Sequence, residues 1–279
     1  MLPSKPLLGR LKDLQLDYLH GEEPALLSGR DSKYTFLYLP SLEKLQLSYG
    51  LTVENSWLRI FREQQHKSSV TELKIRGQIN APHIESLFHC FKALTTVDLR
   101  ESDLGTEVMS GLSRHCTTLQ HLTVLFGGEG PTGSPASFAD FERLRTLCIY
   151  SKLIVDPYLV DGNPSPDPNL KAAQTLVHRL PESLQELYIG WNYRVPVANA
   201  ERLSFAPLYY LACLLQQKHL PGLRRIALCG DYAQWPPDRR AQRYARDLED
   251  KFAAARVELL FPDQSFMLGL SVGHELRGL

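Results

Sequence analysis

The 279-residue sequence predicts an α/β fold of the solenoid kind, a right-handed horseshoe with parallel strands on the concave face and helices on the convex face. Two observations carry that expectation. A short pattern, in its purest form Leu-x-x-Leu-x-Leu, returns about nine times from one end of the chain to the other. Between copies, apolar residues change from alternate positions, which suit a strand, to three- and four-residue steps, which suit a helix.

The copies begin at Leu11, Leu42, Val70, Leu94, Leu119, Leu144, Leu184 and Leu223, and a weaker ninth reads Ala254-x-x-Val257-x-Leu259. The middle spacings are regular: Val70 to Leu94 is 24 residues, Leu94 to Leu119 is 25 and Leu119 to Leu144 is 25. Alternate side chains of a strand face opposite sides. Leu45 and Leu47 are therefore expected in the core, with Lys44, Gln46 and Ser48 outside. One such unit cannot bury its apolar side alone, but stacked neighbours join theirs into a continuous core. Helices are expected over Val53 to Gln65, Ala81 to Phe91, Thr106 to Arg114, Leu170 to Leu180, Phe205 to Gln217 and Asp238 to Ala255. Insertions rich in Pro, Gly or aromatic residues are expected near 126–137, 152–169 and 190–204. They interrupt the spacing without breaking the motif, so residues 1–279 are expected to form a single domain of about eight to nine irregular repeats.

Composition narrows the function. Hydrophobic residues make up 43% and charged residues 22%, enough for a packed core. Lys plus Arg equals Asp plus Glu at 31 each, which disfavours a pan-basic nucleic-acid binder. No apolar run reaches the roughly 20 residues that cross a bilayer, and none near Met1 resembles a signal peptide. The five scattered cysteines contain no Cys-x-x-Cys pair, so reduced thiols are expected, in the cytoplasm or alternatively the nucleus.

These spaced copies resemble the intracellular leucine-rich-repeat superfamily, most closely the ribonuclease-inhibitor-like and F-box-associated repeats of the fungal type. The resemblance runs from Leu11 to Leu259. It implies a protein-interaction scaffold similar to the substrate-recognition half of an F-box protein. The sequence departs from the family in two ways. Repeats of that family often place Asn or Cys three residues after the last strand leucine, and only Asn192 fits. Gly50, Gln78, Ser102, Gly127, Lys152 and Asp231 fill the slot elsewhere. The first repeat also begins at Leu11, with no room before it for a helical F-box. The docking module of a ubiquitin-ligase adaptor is thus expected to be missing from this chain.

The outward strand positions are where a partner would bind. Lys74, Arg76 and Arg100 form a basic centre in the first half, with Asp98 between Lys74 and Arg100. That arrangement suits either a grip on a phosphate or acidic peptide, or a cross-strand ion-pair ladder. Tyr150, Tyr188 and Trp191 supply aromatic surface in the second half. Aromatic and Arg side chains dominate binding hot spots. The alternative function is a small-molecule or phosphate ligand held on this aromatic and basic face.

No catalytic constellation is expected. His89-Cys90 and His115-Cys116 lie at helix ends one repeat apart, and no third group orients them. Their cysteines read better as small buried hydrophobes. The glycines around Gly127 precede no Gly-Lys-Ser/Thr, and no Gly-x-Ser-x-Gly or His-Glu-x-x-His occurs. Arg239, Arg240, Arg243 and Arg246 are followed at once by Asp247, Glu249 and Asp250, as on a solvated helix. The expectation is a non-enzymatic scaffold with a protein partner, without cofactor, metal, nucleic acid or membrane.

Overall fold

The computed structural model describes residues 10–17, 39–48, 67–77, 81–100, 106–125, 137–150, 167–190, 206–229 and 239–260. Within them the chain is α/β, with nine strands and five helices. The helix expected over Val53 to Gln65 lies outside the described residues, as do most of the three expected insertions. The last residues of the second insertion, 167–169, open a helix instead.

Two compact units divide the chain, Met1–Pro131 and Thr132–Leu279. In the first, strands β1 (Asp13–Asp17), β2 (Lys44–Ser48), β3 (Glu72–Arg76), β4 (Thr96–Arg100) and β5 (His121–Leu125) pair in chain order, all parallel. Helix α1 (Ala81–Phe88) connects β3 to β4, and α2 (Thr106–Ser113) connects β4 to β5. The second unit runs β6 (Thr146–Tyr150), α3 (Pro168–Arg179), β7 (Glu186–Gly190), α4 (Ala206–Gln216), β8 (Arg225–Cys229), α5 (Arg239–Ala254) and β9 (Glu258–Leu260), its strands again parallel in chain order.

The register is that of stacked equivalents. Leu14, Leu45, Leu73, Val97 and Leu122 lie opposite one another in turn, as do Leu16, Leu47, Ile75, Leu99 and Val124. From β3 to β5 these residues are all fully buried, and so are the leading Val70, Leu94 and Leu119. Complete burial of each such side chain contributes on the order of 1.5–3 kcal/mol. Helices close the core from the other side, through Ile84 and Phe88 of α1, Val108 and Leu112 of α2, and Leu248 and Phe252 of α5. Helix α2 can approach α1 closely because Gly111 has no side chain. A Cβ there would sit 2.5 Å from Phe88 Cδ2 and 3.2 Å from Glu85 Cα.

A backbone pattern recurs before six of the strands. The carbonyl of Lys12 accepts from the amides of Glu43 and Lys44, that of Glu43 from Thr71 and Glu72, that of Thr71 from Thr95 and Thr96, and that of Thr95 from Gln120 and His121. In the second unit Arg145 accepts from Gln185 and Glu186, and Gln185 from Arg224 and Arg225. One carbonyl thus locks the entry of the next strand each time.

Hydroxyls reinforce that end of the strands. The residue just before the leading apolar position is Ser41, Ser69, Thr118 or Ser183, and each donates to the leading carbonyl of the preceding rung: Leu11 (2.9 Å), Leu42 (3.0 Å), Leu94 (2.8 Å) and Leu144 (2.9 Å). At the equivalent Gly222, a Cβ would lie 3.1 Å from the carbonyl oxygen of Leu184. The polar ladder therefore sits at the entry of β2, β3, β5 and β7, opposite the end where leucine-rich repeats often carry asparagine.

The ninth rung differs from its expected register. Ala254 is the last residue of α5, and Leu259 lies opposite Ile226. Leu259 therefore holds the rung's second apolar position and not its third, a slip of two residues. The helix ends in a Schellman turn: Arg256 takes φ 61°, its amide donates to Ala253, and the amide of Val257 reaches back to Phe252. That turn displaces the strand along the sequence.

Candidate partner-binding face

Side chains two apart on a strand share a face, and the register lines up the middle outward row of the first unit as Gln15, Gln46, Lys74, Asp98 and Thr123. The next row is Ser48, Arg76, Arg100 and Leu125. Lys74 is opposite Asp98, and Arg76 is opposite Arg100. The structure thus brings these four predicted residues together.

They are unequal in exposure. Gln15 is exposed, whereas Gln46, Lys74, Arg76 and Arg100 are half-buried. Asp98 and Thr123 are each only 1% exposed. Arg100 Nε donates to both carboxylate oxygens of Asp98, at 3.1 and 3.2 Å. This pair lies along one strand. Buried to this degree, it holds the Arg100 head against β4 and commits Asp98 internally. Among the described residues, Arg76 Nε and Thr123 Oγ1 are buried without a hydrogen-bond partner.

The second unit separates its predicted aromatics. Tyr150 ends β6, and its side chain lies outside the described residues, as does all of Trp191. Tyr188 is 1% exposed, and its hydroxyl donates to Glu186 at 3.2 Å. Burial raises the Tyr188 phenol well above its ordinary value, with the nearby Glu186 carboxylate adding to the shift. Its ring is core, and in this position offers a ligand no surface.

Sequence reasoning passed over a charged row in that unit. Glu186, Arg225 and Glu258 are register partners on adjacent strands. Arg225 Nε donates to Glu258 at 2.8 Å, and its Nη1 lies 3.4 Å from Glu186. The hydrogen bond to Glu258 is the first cause holding the guanidinium above its usual range. The signal was present as charges of alternating sign at the first outward position. Lys44 and Glu72 pair likewise in the first unit, at 3.0 Å.

One member of each histidine–cysteine pair is packed in the core, whereas Cys116, expected to be buried, is half-buried, as is His89. His115 is 2% exposed. Its Nδ1 accepts from the amide of Leu94 at 3.3 Å, so Nε2 carries the proton and donates to the carbonyl of Phe88 at 3.1 Å. Cys90 is fully buried, and burial pushes its thiol up to about 12, far from a reactive thiolate. Among the described residues, no group of three or more His, Cys, Asp or Glu is arranged to hold a metal, and no helix is long and apolar enough to cross a membrane.

Comparison with known proteins finds no matching family model, no matching curated protein and no matching solved structure.

Proposed function

We propose that this protein is a non-enzymatic interaction scaffold of the cytoplasm, a leucine-rich-repeat solenoid whose strand face binds a protein partner. The observation that carries this reading is the block of Lys74, Arg76, Asp98 and Arg100 on β3 and β4, held in register by repeated stacking. Stacked strands present a fixed row of side chains at regular intervals, which suits recognition of an extended surface. The residue types fit as well, since Arg is enriched at hot spots and Asp98 orients Arg100. A small-molecule site in the aromatic half draws no comparable support, because the Tyr188 ring is buried.

Affinity purification of the full chain from its own cells tests the reading. A protein recovered in near-stoichiometric amount is the expected result. Recovery of no protein, together with a measured turnover on a small substrate, would overturn it.

A further inference from the structure

The block on β3 and β4 holds three cations and one carboxylate. Asp98 is bound by Arg100 through both oxygens. Arg76 lies directly opposite Arg100, and like charges facing each other across a strand pair repel. Its Nε is buried and has no hydrogen-bond partner among the described residues. A buried charged donor without an acceptor carries its full desolvation cost. Yet the Arg76 residue as a whole is only half-buried. An anion arriving beside it would offset the like-charge repulsion.

From this we infer that Arg76 is the anchor for a carboxylate of an acidic segment in the protein partner, gripped beside Lys74 and Arg100. The inference rests on reading the strand face as a protein-binding surface, and it names the chemistry of what is bound. A carboxylate fits better than a phosphate because Asp98 sits inside the block, and it opposes a doubly charged phosphate more strongly than a singly charged carboxylate.

The test uses the full chain and a fluorescein-labelled octaglutamate peptide, read by fluorescence anisotropy. Binding should weaken as salt is raised, and Arg76→Gln should weaken it about tenfold or more, the loss of a charge-assisted contact. Arg76→Lys should recover only part of it, because Lys lacks the planar fork. The melting temperature of free Arg76→Gln should equal or exceed that of the wild type, since the substitution removes an unpaired donor and a like-charge contact. A purely structural Arg76 would instead lower it. Absence of octaglutamate binding, equal binding by Arg76→Gln, or tighter Arg76-dependent binding of a phosphoserine peptide or a DNA oligonucleotide would each overturn the inference. If a partner copurifies with wild type and Arg76→Gln alike, the carboxylate anchor fails while the scaffold reading stands.

Discussion

Single side chains in this protein show how burial decides chemistry. Cys90 sits beside a histidine in the sequence, a pairing that elsewhere activates a thiol. Here burial acts the other way and holds the thiol protonated up to about 12. Its folded value lies above its unfolded one, so its stabilising effect is complete below about pH 9 and is lost as pH rises towards 12. The loss is on the order of 4 kcal/mol at the alkaline limit. Urea denaturation between pH 9 and 12 should therefore show a steep fall in stability that is shallower in Cys90→Ala; equal slopes would contradict this assignment. Asp167 has the opposite sign. Its side chain accepts from the amides of Asn169 and Leu170 at the start of α3, and the Tyr210 hydroxyl, the largest cause, holds the carboxyl below the usual range. That contribution is present above the ordinary aspartate value and disappears as pH falls below it. Asp167→Asn keeps the cap but cannot titrate, and should show a smaller loss of stability on acidification than the wild type.

At the scale of elements, most of the fold was legible because two periodicities alternate. The strands begin where the motif places them from Leu11 to Leu223, and the helix spans from Ala81 onward are recovered within a few residues. The ninth rung was misplaced because Ala254-x-x-Val257-x-Leu259 matches the spacing while Ala254 still belongs to α5. Apolar spacing does not register a helix end made by a residue in the left-handed region. Arg256 at φ 61° and Lys218 at φ 67° both occupy positions that glycine usually takes after a helix. Arg256→Gly should accordingly raise stability by about 0.5–1 kcal/mol in thermal or chemical unfolding. The hydroxyl ladder was also legible in principle, as Ser or Thr before a leading apolar residue. Ser69 donates to Leu39 and Leu42, each at 3.0 Å. Ser69→Ala should cost about 1–2 kcal/mol, and a loss within experimental error would remove the ladder from the account of how rungs are joined.

Across the whole molecule, alternation along a strand tells which side a residue faces but not what else packs there. Lys74, Arg76, Asp98 and Arg100 were placed together because register follows from the motif. The burial of Asp98 and Tyr188 was not legible, since it depends on contacts remote in sequence. Lys74 and Asp98 face each other across two strands, as a ladder requires, while Arg100 meets Asp98 along a single strand, because residues two apart share a face and long side chains can meet there. The central claim is that this face recruits a protein through its basic block. Its most direct test is quantitative affinity purification of the wild-type chain beside Lys74→Gln/Arg76→Gln, with the double variant shown to unfold at no lower temperature than the wild type. A partner should be recovered with the wild type and reduced about tenfold or more with the double variant. Equal recovery of every protein by the two chains would contradict it.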